Sequence, residues 1–311
     1  MSNAAIAPLC DGACITAFGL VGPALAQRGR PAAAIWLLTI ASCVAAAAST
    51  VVLMLLSLPL VGLDDSLADQ FHWTSAVLRK DTLAGRGVAV VAAASVLLFV
   101  LRAARVVVRN RLAARAARAQ LRRLGPAAGG LLVADDRVVD AFTVAGSSVI
   151  VATTGLLRLL SPGERRAMLA HERSHLVHRH HAHVLAATVA AALNPLLWRV
   201  PDTVTFVAER WADEDAAGAT SRPVAAAALA RAAESRSTFR PVHALAAAAT
   251  AVARRIAALQ APPPSARPVA FAVPALLIVA AVFTTAVATD HVWALFHVTA
   301  RIGRHALLQR H

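Results

Sequence analysis

Long stretches of uncharged, apolar sequence constrain the fold of this chain more than any other feature. A transmembrane helix needs about 20 apolar residues, and residues 32–63 and 268–289 are uncharged throughout. The chain is 58% hydrophobic and only 15% charged, which is too apolar for a soluble domain of this length. The sequence therefore predicts an integral membrane protein.

Two shorter apolar runs extend this prediction to about four transmembrane helices. Residues 87–108 form a span if Arg102 and Arg105 extend their charged ends to the membrane surface. Residues 12–27 contain Pro23 and lack the basic start of a cleaved signal peptide. We expect a membrane region over residues 1–108, one domain over 109–267, and a last span with a short tail over 268–311.

The domain between the third and fourth spans is mainly polar and is expected to be largely α-helical. Two short β-prone runs, residues 141–144 and 148–153, flank Ala145, Gly146 and Ser147. Such a pattern predicts a β-hairpin. The proline-rich residues 261–268 predict a stiff linker into the last span.

Charge asymmetry predicts that this domain faces the cytoplasm. Eight arginines lie between Arg102 and Arg123, whereas residues 64–86 mix four aspartates with three basic residues. Arginine-rich segments stay on the cytoplasmic side. Arg28 and Arg30 agree with this topology, and basic residues in the C-terminal tail oppose it. The sequence predicts a multi-pass protein of a bacterial cell membrane.

The net charge of +14 also admits a basic surface that binds nucleic acid or lipid. The arginines, however, lie beside apolar runs and not on an aromatic-rich polar module, so we expect them to orient the chain in lipid. We expect no direct nucleic-acid partner. The three cysteines, Cys10, Cys14 and Cys43, have no metal-site spacing.

A metal-binding motif follows the predicted hairpin. Ser161-Pro-Gly-Glu164 is a capping box that starts a helix. On that helix His171 and His175 are four residues apart, so both rings lie on one face. Zinc is the expected metal, because imidazole and carboxylate groups are its usual ligands. Glu172 would lie beside a metal-bound water and act as its base. The alternative is a solvated polar helix that happens to be rich in histidine.

A second, acidic helix is predicted to start after Pro201 and to end near Gly218. Glu209 and Asp213 fall four apart on one face of it. They fit a third zinc ligand and a carboxylate that orients a ligand imidazole. Glu214, Asp215 and Asp202 are expected to be solvated surface acids, although spacing alone leaves Glu214 open as the ligand.

Other polar residues have less specific patterns. We expect His178, His180, His181 and His183 to be interfacial residues or weak surface metal binders. Their helix is expected to continue through residues 184–200, broken at Asn194-Pro195, along the membrane surface. The chain has no tyrosine, so Arg254 and Arg255 are candidate oxyanion donors, although a solvated face is the alternative for either.

Together these segments resemble a known group, the transmembrane zinc metallopeptidases of the beta-lactam-sensor type. They are more distantly similar to the prenyl-protein and heat-shock membrane proteases. The similarity lies in residues 141–176, 206–217 and 254–264. It implies a zincin-type domain with one Zn²⁺ per chain, in which the ligands are His171, His175 and Glu209. It also implies Glu172 as the base, Asp213 as the orienting carboxylate, and a strand that pairs with extended substrate.

Two departures limit the resemblance. The sensor proteins carry a large extracellular domain after the last span, whereas only residues 290–311 follow here, so we expect no beta-lactam sensing. In prenyl-protein proteases a histidine stands where this chain has Ala249, which leaves Arg255 as the candidate donor. We expect proteolysis of a cytosolic repressor or a membrane protein, in signalling or quality control; the alternative is a catalytically silent membrane scaffold.

The predicted topology is testable by reporter fusions. Moving eight clustered arginines across a bilayer is disfavoured, so a reporter at Gly130 is expected in the cytoplasm and one at Phe71 outside. An external reporter at Gly130 would overturn the topology.

Overall fold

The structure, a computed structural model, describes residues 3–62, 85–144, 146–237, 242–265 and 268–308. Within them, helices predominate and one small sheet is present. The helices are α1 (Asn3–Ala26), α2 (Pro31–Ser57), α3 (Pro59–Gly62), α4 (Arg86–Arg123), α5 (Thr154–Leu159), α6 (Pro162–Val177), α7 (His180–Leu193), α8 (Val200–Ala219), α9 (Arg222–Ser237), α10 (Val242–Gln260) and α11 (Pro268–Leu308); the strands are β1 (Leu131–Ala134), β2 (Ala141–Thr143) and β3 (Ile150–Thr153).

Among the described residues, four helices are long and apolar enough to cross a membrane, which confirms the predicted fold class. They lie at Pro8–Ala26, Pro31–Ser57, Arg86–Arg123 and Phe271–Ala294. The predicted ends were less accurate than the spans themselves. In particular, α4 does not stop at residue 108 but continues to Arg123, because its alanines, leucines and arginines all favour a helix. The acidic segment before α4 lies largely outside the described residues.

Three of these helices pack closely. Helix α11 packs against α1 and α2, and their apolar side chains, including Phe18, Ile35 and Ile278, share one buried cluster. Buried alanines of α2 such as Ala41 and Ala45 allow close approach. Thr285 of α11 donates a hydrogen bond to Asp11 of α1 at 3.2 Å.

The predicted hairpin is confirmed. Strands β2 and β3 pair antiparallel, with Phe142 opposite Val151, and Gly146 in their connection has a φ of 72°, which favours glycine. The sequence patterns missed β1, which pairs in parallel with β3 and gives the sheet order β1-β3-β2. Strand β2 is therefore an edge strand, and it packs beside α6.

One predicted helix is two helices, and this part of the prediction was wrong. The capping box starts α6 as predicted, but α6 ends at Val177. Arg179 adopts a left-handed conformation with a φ of 50°, which is uncommon for a residue other than glycine. This turn redirects the chain, and α7 begins at His180.

Helix α7, the turn at Pro195–Leu197 and α8 form a helical hairpin beside the spanning helices. His183 contacts Thr39 at 3.1 Å, and Asn194 donates to Ser49 Oγ at 2.7 Å. Helix α7 therefore follows α2 for about 15 Å. The break at Asn194-Pro195 was predicted, but a helix parallel to a spanning helix does not lie along the membrane surface. Gly19 of α1 touches the backbone of Leu196, where a side chain would not fit.

Candidate metal centre

Three side chains from two helices converge on one point. The Nε2 atoms of His171 and His175 lie 3.2 Å apart. His171 Nε2 lies 3.5 Å from Oε2 of Glu209, and His175 Nε2 lies 3.5 Å from Oε1 of the same carboxylate. A tetrahedral zinc ion with bonds of 2.0–2.1 Å has ligand atoms about 3.3 Å apart. The two imidazole nitrogens and the Glu209 carboxylate thus form a triangle of ligand groups close to the size that one such ion requires.

Small side chains bring the two helices close enough to form this triangle. Helix α6 packs against α8, and α9 packs against both. Ala167 of α6 and Ala216 of α8 are buried in one cluster with Ala225 and Ala228 of α9. Because alanine has no side chain beyond Cβ, the backbones approach and the long ligand side chains meet.

Asp213 and Arg255 form a buried layer behind the ligands. Asp213 Oδ1 lies 3.1 Å from Nδ1 of His171, the ring nitrogen that faces away from the triangle. Arg255 donates to both oxygens of Asp213, at 2.7 Å from Nε and 2.6 Å from Nη2. A carboxylate at this position fixes the orientation and tautomer of a ligand imidazole.

Arg255 also reaches the third candidate ligand, since its Nη1 lies 2.7 Å from Glu209 Oε2. Three of its five N–H groups thus face Asp213 and Glu209, which leaves two for another acceptor. Its role as an oxyanion donor stays a prediction. Arg254, the other candidate, donates instead to Gln27 and stacks its guanidinium over Phe206.

The charges of the centre shift the pKa values of its members in opposite directions. Burial lowers the pKa of His171, but the bonds to Asp213 and Glu209 outweigh it and raise this pKa to about 9. Burial, followed by the charge on His171, lowers the pKa of His175 to about 4. Burial would raise the pKa of Glu209, but His171 and Arg255 hold it well below its usual range.

Glu172, the predicted base, faces the same cavity as the candidate ligands. It is 7% exposed and lines the same cavity as His171, His175, Glu209 and Arg255. Burial lowers the pKa of Arg255, but the neighbouring carboxylates of Asp213 and Glu209 raise it above its usual value. The charge on Glu172 makes a smaller contribution in the same direction. The predicted base is therefore adjacent to the predicted ligands.

His180 has a role that the sequence patterns missed. It was expected at a surface or interface, but it is 2% exposed, and its Nδ1 lies 2.9 Å from Nδ1 of His175. If His175 binds a metal through Nε2, its Nδ1 carries the proton and donates a hydrogen bond to Nδ1 of His180. Spacing did not indicate this contact, because it depends on the left-handed turn at Arg179.

The remaining acids lie away from the triangle. Glu214, left open as a ligand by spacing, instead forms a bidentate pair with Arg222. Asp215 accepts hydrogen bonds from Ser174 at 2.7 Å and contacts His178 at 3.1 Å, so it is not simply solvated. Asp202 is exposed, as predicted.

A cavity of about 930 Å³ opens beside the triangle. The edge strand β2, from Ala141 to Thr143, forms one wall next to His171 and Glu172. Val106 and Asn110 of α4 form another, beyond the apolar part of that helix. Ala249, which occupies the position of a histidine in prenyl-protein proteases, also lines it. A peptide can therefore lie along β2 with its backbone near the candidate metal.

Comparison with known proteins identifies the family. The model of peptidase family M48 matches residues 86–288, which include α4, the sheet, both ligand helices and part of α11. The chain belongs to peptidase family M48. A similar relative is a protein named Protease HtpX homolog from Paraburkholderia phytofirmans, 35% identical over 83 residues. No solved structure matches.

The M48 match supports a membrane metallopeptidase. The similarity to the HtpX homolog covers 27% of this chain and 27% of the relative, so the chain spans about a quarter of that relative. Both findings agree with the expected likeness to heat-shock membrane proteases. The finer resemblance, to the beta-lactam-sensor type, stays a prediction.

The raised pKa of His171 predicts that metal binding depends on pH. An imidazole must lose its proton to bind a metal, and in the metal-free chain His171 keeps this proton up to about pH 9. Apparent zinc affinity should rise about tenfold from pH 7 to pH 8. Titration against a competing chelator measures it.

The matched variant is Asp213→Asn. It removes the carboxylate that holds the proton on His171, so its affinity should be weaker and should change less between pH 7 and pH 8. If zinc affinity depended on pH equally in the wild type and in the Asp213→Asn variant, the assigned contact between Asp213 and His171 would be contradicted.

Proposed function

We propose that this M48 peptidase is a zinc-dependent endopeptidase that cleaves protein substrates at the cytoplasmic face of a bacterial membrane. The observation that carries the proposal is the triangle of ligand groups from His171, His175 and Glu209, in which the nitrogens lie 3.2 Å apart and each lies 3.5 Å from one oxygen of the carboxylate. A downstream glutamate as the third ligand of an HExxH motif is the gluzincin arrangement.

The donor set supports zinc. Two imidazole nitrogens and one carboxylate are typical of catalytic zinc sites, which keep a fourth position for water. Magnesium and calcium prefer oxygen ligands, and the three cysteines lie in or near the N-terminal membrane helices. One Zn²⁺ per chain is the expected content.

When bound, zinc would supply an acidic water and polarise the scissile carbonyl. With zinc held by His171, His175 and Glu209, Glu172 would serve as the base that accepts the proton of that water and as the acid that returns it to the leaving amine. Asp213 holds the His171 ring through Nδ1, and Arg255 holds Asp213. An extended substrate pairs with the edge strand β2, as the resemblance implies, which presents its backbone without demanding a particular sequence.

The location and partners follow from the charges and the membrane helices. The exposed arginines of α4 favour a cytoplasmic domain, and four apolar helices favour contact with lipid along their length. The substrate is then a cytosolic protein, such as a transcriptional repressor, or a membrane protein. The name of the HtpX homolog, a protease, supports proteolysis.

Zinc content and cleavage in three variants test the function. Glu172→Gln keeps the size of the side chain but removes the base, so cleavage of denatured casein should fall about 10²–10⁴-fold with one zinc retained. Glu209→Gln should lose both zinc and cleavage. Glu214→Gln lies on the same helix but pairs with Arg222, so it should keep both.

Undiminished cleavage by Glu172→Gln would refute the mechanism. A wild-type chain that neither cleaves nor binds one zinc would instead support the silent scaffold.

A further inference from the structure

We propose that Arg111, Arg115, Arg118 and Arg122 form a docking surface for an acidic segment of the protein substrate, beside the mouth of the catalytic cavity. We call these four residues the arginine stripe. The proposal rests on the proposed function, since the docked segment leads into the cavity that holds the candidate metal centre.

The four residues lie on one face of a single helix. Their spacing of four, three and four residues follows the turns of α4, so the side chains form a row about 16 Å long. All four are exposed. Helix α4 contains no Asp or Glu, so no acidic neighbour on the helix offsets this charge.

The arginines nearer the membrane lie elsewhere on the helix. Arg102, Arg105 and Arg109 are rotated by roughly 150° from the stripe. They follow directly after the apolar part of α4, where arginine side chains reach lipid headgroups. Two sets of arginines therefore occupy two faces, and their positions suggest two partners.

The stripe lies next to the cavity. Val106 and Asn110, which line the cavity wall, lie on the face of α4 between the two sets of arginines. The Arg118 guanidinium lies against Gly146, in the connection between β2 and β3, where a side chain would collide with it. His181 also lines the cavity, and burial, Arg179 and Arg118 together lower its pKa. Through Arg118 the stripe thus lies beside the connection that follows the edge strand and near a residue of the cavity.

Helix geometry favours a protein partner over lipid. Helix α4 runs from Arg86 to Arg123 without a proline, so its distal part continues along the axis of the membrane span. Arg122 lies about 20 Å beyond Val108 along that axis. Charges are screened within about 8 Å at physiological salt, so the far end of the stripe is too distant from the headgroups.

The positive charge of three stripe residues is available for binding. Among the described residues, none of the ion pairs includes Arg111, Arg115 or Arg122. A row of guanidinium groups recognises carboxylates, with which it forms paired hydrogen bonds. An extended segment has side chains on one face about 6.6 Å apart, so three or four acidic residues match the stripe.

The test compares two triple variants that remove equal charge. Arg111→Gln, Arg115→Gln and Arg122→Gln together form the stripe variant, which leaves Arg118 in place beside Gly146. Arg102→Gln, Arg105→Gln and Arg109→Gln form the control variant. The probes are two fluorescent peptides with one central apolar sequence, flanked on both sides by four glutamates or by four glutamines.

Cleavage and binding are measured on the full chain in detergent, normalised to zinc content. The stripe variant should show an increase in KM of about tenfold for the glutamate peptide, with kcat and the glutamine peptide unchanged. The control variant should keep the wild-type preference. The preference should disappear near 1 M salt, because screening removes it.

Equal losses in both triple variants would overturn the proposal, as would a wild-type chain without preference for the glutamate peptide. So would a stripe variant that keeps the peptide preference but loses binding to phosphatidylglycerol vesicles, which would assign the stripe to lipid.

Peptide binding to the Glu172→Gln chain, measured by fluorescence anisotropy, separates this proposal from the proposed function. If the wild type cleaves neither peptide but stripe-dependent binding is present, the peptidase function fails and the docking surface stands. If both peptides are cleaved equally, the docking surface fails and the function stands.

Discussion

The buried ion pair between Arg255 and Asp213 is the interaction on which the candidate centre depends. Asp213 is 5% exposed, and an isolated carboxylate at such a position is strongly unfavourable. Arg255 offsets this cost with two hydrogen bonds and also reaches Glu209. Without Arg255, two carboxylates would lie close together with only imidazoles to balance them, so α10 is needed for the geometry of a site whose candidate ligands lie on α6 and α8.

Hydrogen bonds to the connection between the first two membrane helices also position the candidate centre. Arg210, the neighbour of Glu209, donates to the carbonyl of Gln27 at 2.8 Å, in the connection between α1 and α2. Arg254, the neighbour of Arg255, donates to the Gln27 side chain. The helices that position the candidate ligands are therefore fixed at one end of the first two spans, where a membrane peptidase can reach both lipid-embedded and soluble chains.

Local patterns predicted those features that depend on local geometry. The capping box fixed the start of α6, the i and i+4 spacing placed His171 beside His175, and the same spacing placed Asp213 one turn from Glu209. Apolar runs located the spans because a bilayer requires about 20 such residues. Features that depend on tertiary contacts were missed: the parallel strand β1, the left-handed Arg179, and the burial of His180 against His175. Spacing also left Glu214 open, and only its pair with Arg222 separates it from the ligands.

X-ray absorption spectroscopy of the zinc-loaded chain is the most direct test of the candidate centre. Coordination by His171, His175, Glu209 and one water should give four nitrogen or oxygen neighbours at about 2.0–2.1 Å, with the multiple-scattering pattern of two imidazoles. A sulfur neighbour at about 2.3 Å, or three or more imidazoles, would contradict the assignment. The first would place the metal at the cysteines of the membrane helices, and the second at the histidines that follow His175.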